Sequence, residues 1–182
     1  MAKSIERVVI AIPNTRWFGN RHSPTFPYAQ GIINASLKNR YDVKILDADL
    51  ENLSSDQVRG RMAEYQPDVG CVSCMSMGYY SNFEEIASIA KETCPDSTVV
   101  VGGIFPTQLP NALMEDGNVD YAVLGEGEFR FPRLLEYLEK GSSLDELDGL
   151  VFRSKGNLKI NEVENYIQNL DEVPFPSYDG ID

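Results

Sequence analysis

Three short runs of this 182-residue chain combine residue types that ligand binding or catalysis requires. The runs are Ser73-Cys74-Met75-Ser76, Gly102-Gly103 and Gly125-Glu126-Gly127-Glu128. Paired glycines let a backbone pass close to a ligand because no Cβ intervenes. Carboxylates that alternate with glycine repel a phosphate group. The three runs therefore favour a large, mostly uncharged ligand over a nucleotide.

Side chains in and beside these runs also have the spacing of two catalytic motifs. Glu126 and Glu128 could act as a general acid and a general base. An equally good interpretation is that both are anions at the start of a helix, where the helix dipole favours negative charge. Cys71 and Cys74 have C-x-x-C spacing, which is found in redox motifs. Cys71, however, lies inside a predicted strand, where cysteine behaves as a small buried hydrophobe. Packing is therefore the favoured role of these thiols.

Each run lies at or directly after the end of an apolar segment that is typical of a buried strand. Such segments alternate with helical patterns, which predicts parallel βαβ units with right-handed crossovers. Strands are predicted at residues 7–12, 41–46, 68–73, 97–101 and 119–124, and helices at 28–39, 54–65, 82–93, 111–115 and 128–139. The predicted fold class is α/β, with a doubly wound, mainly parallel five-stranded sheet covered on both faces.

The pattern changes after residue 141, where a C-terminal extension begins. Residues 149–153 and 158–160 predict a β-hairpin around a Ser-Lys-Gly-Asn turn. The stretch 170–176 is extended and punctuated by prolines, and the sequence suggests no core for it to join. We therefore predict one domain over residues 1–141, followed over 142–182 by a hairpin and a proline-rich linker or disordered tail.

Composition and charge argue against several classes of partner. The chain has 28 acidic and 16 basic residues, which gives a net charge of −12. Nucleic acids and anionic membrane surfaces both attract clustered Lys and Arg, so neither is an expected partner. No apolar run approaches the length of a membrane span, and no signal-peptide pattern is found at the N-terminus. Three cysteines are too few for a disulfide framework, which predicts a cytoplasmic location.

Loops at the carboxyl ends of the strands are the expected ligand site in an open parallel sheet. They contain neither G-x-G-x-x-G nor a G-x-x-x-x-G-K-[ST] phosphate loop. Trp17 lies in the first of these loops, a polar one. Ligand contact and packing within the loop are equally good interpretations of this aromatic side chain.

Ser73-Cys74-Met75 followed by Gly102-Gly103 resembles the S-x-L and G-G pair of cobalamin-binding Rossmann-like domains. The stretch that ends in Gly125-Glu126-Gly127-Glu128 is similar to the "vDyvv-GEGE" run of one branch of that family. Residues 170–176 resemble the stretch that leads into the catalytic barrel of the same branch. That branch is the cobalamin-dependent radical S-adenosylmethionine (SAM) enzymes, and the resemblance covers nearly the whole chain.

This resemblance implies a cobalamin-binding module with a flavodoxin-like or Rossmann-like fold. The nucleotide tail of cobalamin would insert between the sheet and the helices, where Ser73 would contact the dimethylbenzimidazole and Met75 would take the Leu position. Gly102 and Gly103 would leave room for the tail, and residues 125–128 would lie near the corrin edge. The full set of expected cofactor-binding residues is Trp17, Ser73, Met75, Ser76, Gly102, Gly103, Phe105, Pro106, Gly125, Glu126, Gly127 and Glu128.

Two motifs of related proteins are missing from this sequence. Methionine-synthase-like domains carry D-x-H-x-x-G after the first strand, and their histidine replaces the lower cobalt ligand. That loop has no such histidine here, and His22 lies further along, where a solvated side chain is the commoner role. Since radical members commonly lack the ligand, we expect cobalamin to bind base-off, without histidine.

The second missing motif is the C-x-x-x-C-x-x-C of the radical branch. The [4Fe-4S] cluster and SAM would therefore belong to a C-terminal radical SAM barrel that is absent from this chain. The chain alone is not expected to be a complete enzyme. The full-length protein would carry out methyl transfer or cyclase-type chemistry.

Two alternative classes share the α/β pattern. A flavodoxin-like or receiver-like domain would bind a ligand or signal without catalysis, but a receiver needs Asp at the end of the third strand, where Ser73 stands. A small α/β hydrolase needs a G-x-S-x-G nucleophile elbow, which the sequence lacks. Visible absorbance after mixing with cobalamin would separate these classes from a cobalamin-binding module.

Overall fold

Seven strands form one sheet in the described part of the chain, residues 3–21 and 26–181 of a computed structural model. They are β1 Arg7–Ile12, β2 Asp42–Asp47, β3 Val69–Ser73, β4 Thr98–Gly102, β5 Tyr121–Val123, β6 Leu150–Ser154 and β7 Asn157–Ile160. Their spatial order is β2-β1-β3-β4-β5-β6-β7. The first five strands are parallel, and β6 and β7 pair antiparallel. The strand order reverses between β1 and β3, which is where ligands bind in such sheets.

Six α-helices accompany this sheet within the described residues. They are α1 Tyr28–Leu37, α2 Ser55–Tyr65, α3 Tyr80–Thr93, α4 Ile104–Gln108, α5 Pro110–Leu113 and α6 Gly127–Lys140. Local sequence explains two of their ends: Ser54 and Gln57 form a capping box before α2, and Gly141 adopts the left-handed conformation that ends α6. None of the helices in the described ranges has the length and apolar character needed to cross a membrane.

Side chains alternate between two apolar clusters along each central strand. On β1, Val8 and Ile10 join the cluster of α1 and α6, whereas Val9 and Ala11 join the cluster of α2 and α3. Burial on both faces explains why the strands are continuous apolar runs in the sequence. The predicted α/β fold with five parallel strands is confirmed.

The predicted hairpin is present, and it also extends the main sheet. Tyr121 of β5 pairs with Phe152 of β6, and β6 continues into β7. The hairpin thereby covers backbone groups that an edge strand would leave unpaired. The helix predicted at 111–115 starts earlier, as α4 and α5, because the chain turns from β4 directly into a helix and Pro110 fits the first turn of the next one.

Residues 177–180, here called the C-terminal segment, pack on the domain, which corrects the expectation that the extension has no core to join. In the stretch before them, Leu170 and Phe175 are 74% and 93% exposed. Ser177 N donates to Gly31 O at 2.9 Å, and Asn34 Nδ2 donates to the carbonyl oxygens of Ser177 and Asp179 at 2.9 and 2.8 Å. Ile45 N of β2 donates to Gly180 O at 2.9 Å. These bonds attach the segment to α1 and β2 through polar groups, which an apolar pattern in the sequence does not reveal. The division at residue 141 stays a prediction.

Candidate functional site

A cavity of about 450 Å³ lies between the sheet and helices α1 and α6. Four neighbouring parallel strands contribute one side chain each to its floor, namely Ile10, Cys71, Val100 and Val123. Ile33 of α1 and Phe131 of α6 also line it. We call this cavity the slot. Its volume and apolar walls are typical of small-molecule sites.

The mouth of the slot is formed by loops at the carboxyl edge of the sheet. Its residues are Ser73, Met75, Gly102, Gly103 and Gly125. Thr107 joins two of these loops, since its Oγ1 donates to Gly103 O at 2.8 Å and accepts from Gly125 N at 2.9 Å. Thr107 therefore links the glycine turn after β4 to the loop at Gly125, which lies 18 residues further along the chain.

The two glycines at the end of β4 have different structural roles. Gly103 has a φ of 109°, and a Cβ there would lie 2.8 Å from Cys74 O, so the turn itself requires glycine. A Cβ on Gly102 would meet only Val123 O, at 3.9 Å. Gly102 lies two residues after Val100 and hence on the same face of the sheet. A side chain at position 102 would therefore enter the slot.

The two carboxylates of the Gly-Glu-Gly-Glu run lie in different surroundings. Glu126 Oε2 accepts a hydrogen bond from Ile167 N at 2.7 Å, beside a second cavity of about 320 Å³. Glu128 lines the slot, and its Oε2 is shielded from solvent without a hydrogen-bond partner among the described residues. The structure therefore does not bring them together as an acid–base pair in one cavity.

Both thiols of the C-x-x-C spacing are suited to packing. Burial raises the pKa of Cys71 to about 12 and that of Cys74 to about 11. A thiol with so high a pKa carries almost no thiolate at neutral pH and is a poor nucleophile. Cys71 accordingly contributes an apolar, neutral group to the slot floor.

Comparison with known proteins assigns this arrangement to a family. The family model of the B12 binding domain matches residues 18–135, a range that contains all three runs, helix α1 and the slot-lining residues of α6. The chain belongs to the B12-binding domain family.

Relatives of this B12-binding domain are similar over most of its length. The uncharacterized methyltransferase PH0819 of Pyrococcus horikoshii is 30% identical over 154 residues, which are 84% of this chain and 33% of the relative. The anaerobic magnesium-protoporphyrin IX monomethyl ester cyclase of Rubrivivax gelatinosus is 30% identical over 178 residues, 92% of this chain and 31% of the relative. The chain therefore spans about a third of the length of these relatives.

A solved structure shares the fold of this B12-binding domain. The cobalamin-dependent S-adenosylmethionine radical enzyme OxsB, solved with aqua-cobalamin and S-adenosylmethionine, superposes with a TM-score of 0.76 at 23% identity. The match covers 96% of this chain and 24% of the OxsB chain. This likeness supports the predicted Rossmann-like fold.

The structure brings seven of the twelve expected cofactor-binding residues to the slot of the B12-binding domain. They are Ser73, Met75, Gly102, Gly103, Gly125, Gly127 and Glu128. The other five lie elsewhere. Trp17 Nε1 donates to Leu53 O at 2.9 Å, and its ring packs on the α2/α3 cluster. Phe105 is buried in that same cluster, with Tyr80 at a centroid distance of 5.5 Å.

Pro106 is buried next to Phe105, and Ser76 is exposed beyond the mouth. Glu126 binds the backbone of residue 167, as described above. Loops at a ligand-binding edge pack partly on the neighbouring helices, and the sequence does not show which of their residues do so.

Sequence reasoning missed the side of the slot that helix α1 forms. Ala29, Gln30 and Ile33 of α1 line the slot together with Phe131 of α6. The position of α1 could have been predicted from the topology. Because α1 follows β1, next to which the strand order reverses, it borders the edge of the sheet where ligands bind.

The first loop of the B12-binding domain is fixed by polar contacts. Asn82 Nδ2 of α3 donates to Asn14 O at 2.7 Å, and Asn14 Nδ2 donates to Leu53 O at 3.0 Å. Arg16 occupies the position of histidine in the D-x-H-x-x-G pattern, and its Nη1 donates to Asp49 O at 2.9 Å. His22 lies outside the described residues, so its role stays a prediction.

Proposed function

We propose that the slot binds the nucleotide tail of cobalamin and that the chain serves as a cobalamin-binding module. The observation that carries this proposal is an apolar slot of about 450 Å³ at the strand switch of a B12-binding fold. Glycine at position 102 leaves the entrance open, since a Cβ there would project into the slot. The residues present therefore fit a flat, mostly apolar group.

Individual residues would have distinct tasks in this module. The apolar floor would exclude water from the dimethylbenzimidazole, and the Ser73 hydroxyl at the mouth would offer it a hydrogen bond. Met75 and Ile104, which are 56% and 52% exposed beside the slot, would contact the corrin. When bound, cobalamin supplies a cobalt centre that can carry a methyl group.

The first loop supports binding without a protein ligand to cobalt. A guanidinium has donors and no acceptor, so Arg16 cannot coordinate a metal ion in the place of histidine. We therefore propose base-off binding without a histidine ligand. Electron paramagnetic resonance of the Co(II) complex tests this: the absence of axial nitrogen hyperfine splitting is expected, and resolved nitrogen splitting would contradict it.

The relatives' lengths support a larger assembly. Because this chain matches about a third of each, we propose that it works with a radical SAM barrel that holds a [4Fe-4S] cluster and SAM, in the cytoplasm. The reaction of the whole protein would be methyl transfer or cyclase-type chemistry. Mixing this chain with a separately produced barrel and measuring their association by sedimentation tests the pairing.

The flavodoxin-like or receiver-like alternative has less support. Ser73 stands at the end of β3, where a receiver has its phosphorylated Asp, and the described residues that line the slot include no Lys or Arg to attract a phosphate. Titration with hydroxocobalamin, followed by visible absorbance, decides between the two. Saturable binding supports the module, and its absence together with binding of flavin mononucleotide would favour the alternative.

A further inference from the structure

Glu128 is the carboxylate among the described residues that line the slot, whose other side chains are apolar or uncharged. Its Oε2 is shielded from solvent and has no hydrogen-bond partner in the described part of the chain. No Lys or Arg is found among the described slot residues, so no neighbouring cation pairs with it there. The carboxylate two residues earlier, Glu126, has a backbone partner at 2.7 Å. The two carboxylates of one motif thus differ in whether their hydrogen bonds are complete.

An acceptor that is buried without a donor destabilises the folded protein. Glu128 lies in the first turn of α6, where the helix dipole favours a negative charge. That dipole offsets part of the charge burial but supplies no donor to Oε2. A donor on a group that enters the slot would complete the hydrogen bonding of Oε2.

We propose that Glu128 is the hydrogen-bond acceptor for an O–H or N–H donor on the nucleotide tail, and that it makes binding selective for corrinoids with such a tail. This inference rests on the proposed function. Two groups of the tail have the required chemistry: a ribose hydroxyl, and the benzimidazole nitrogen that base-off binding frees, when that nitrogen is protonated. Glu128 would thus be a specificity-determining residue within the slot.

Titration of parent and variants with two corrinoids tests the proposal. Cobalamin carries the tail and cobinamide lacks it, and both are followed by visible absorbance. Glu128→Met, which removes the acceptor at similar volume, is expected to weaken cobalamin binding about tenfold and to leave cobinamide binding unchanged. Glu136→Gln is the matched control, because Glu136 lies in the same helix but pairs with Arg40 outside the slot. Thermal unfolding of the free variants verifies that each is folded.

Two fragments of the tail identify the donor. The dimethylbenzimidazole riboside carries the ribose hydroxyls, and N-methylated dimethylbenzimidazole does not. If Glu128→Met weakens binding of the riboside alone, the donor is a ribose hydroxyl. If it weakens binding of both fragments, the donor is the base nitrogen.

The outcomes separate this inference from the proposed function. A parent protein that binds cobalamin no better than a denatured control overturns both. A parent that prefers cobalamin over cobinamide, with the same preference in Glu128→Met, overturns the role of Glu128 and leaves the slot assignment intact.

Discussion

The two faces of the sheet differ in how closely helices pack on the central strands. On the α2/α3 face, the void between α3 and the central strands is about 10 Å³ and is lined by small and medium-sized side chains such as Ala87 and Ala90. A cavity of about 240 Å³ on that face lies further out, beside α2 and β2, where the charged Lys44, Arg61 and Glu64 line part of it. On the α1/α6 face the slot measures about 450 Å³. Both faces are built from the same apolar strands, so the helices cause the difference.

Helix α3 can approach the sheet closely because small residues meet there. A Cβ on Gly70 would lie 3.8 Å from Ala90 Cβ, which is ordinary van der Waals contact. Part of the buried surface of helix α1 faces the C-terminal segment instead of the sheet. Gly31 and Asn34 form hydrogen bonds with that segment. The central strands are therefore closely packed under α3, whereas a large apolar space remains under α1 and α6.

Large-to-small substitution of two buried phenylalanines should show the difference in packing between the two faces most clearly. We expect Phe83→Ala on α3 to lower the free energy of unfolding by about 4 kcal/mol, as for close-packed cores. Phe131→Ala on α6 should cost only about 2 kcal/mol, because its ring borders the slot and has fewer packing partners there. Urea unfolding measures both. Equal losses would show that the slot face is as tightly packed as the other.

The slot face is further held by an ion pair whose effect should depend on pH. Arg130 Nη2 donates to Asp148 Oδ2 at 2.7 Å, and the two side chains are 9% and 18% exposed. Burial alone would raise the pKa of Asp148, but hydrogen bonds from Glu164 N and Arg130 outweigh it and lower the pKa. Asp148→Ala should therefore cost about 3 kcal/mol at pH 7, because it leaves a buried cation unpaired.

The sign of the pH effect follows from the lowered pKa. Stability from this pair is fully present above the unfolded pKa of about 4 and is lost as pH falls through the lower, folded value. The cost of Asp148→Ala should thus shrink in acid. Asp145→Ala is the matched control, since Asp145 forms an exposed pair with Lys159, which should contribute less than about 1 kcal/mol. A constant cost for Asp148→Ala down to pH 2 would contradict the assignment.

Filling the slot should affect binding and spare the fold. Gly102→Val is expected to weaken cobalamin binding at least about tenfold, because its side chain overpacks the site. Gly70→Ala is the control on the opposite face, where the new methyl group has room. Calorimetric titration with hydroxocobalamin gives the affinities, and unchanged affinity in Gly102→Val would place the cofactor elsewhere. Gly103 is a poorer test, since any side chain there strains the turn.

The smallest expected change in stability comes from a substitution of Trp17, the aromatic residue of the first loop. Trp17→Phe removes the hydrogen bond to Leu53 O and should lower the free energy of unfolding by about 1 kcal/mol. Cobalamin affinity should not change, because the ring packs on the α2/α3 cluster. Reduced affinity without reduced stability would instead make Trp17 a cofactor contact.

The sequence predicted the parallel sheet and the edge at which the slot opens, because both depend on local patterns. Apolar runs give the strands, and the glycine and serine runs at their ends mark the edge. It did not predict the helix side of the slot or the docking of the C-terminal segment. Asn34 and Ser177 meet across 143 residues, and neither residue type carries a pattern that would indicate such a contact. The positions of Trp17 and Phe105 likewise depend on how whole loops fold.

The affinity of the parent protein for cobalamin relative to cobinamide tests the central claim most directly. If the slot binds the nucleotide tail, cobalamin should bind at least about tenfold tighter, since burial of the apolar base is lost with cobinamide. The same measurement on Gly102→Val should bring the two affinities close together. Equal affinities in the parent protein would contradict the claim that the slot is the site of the tail.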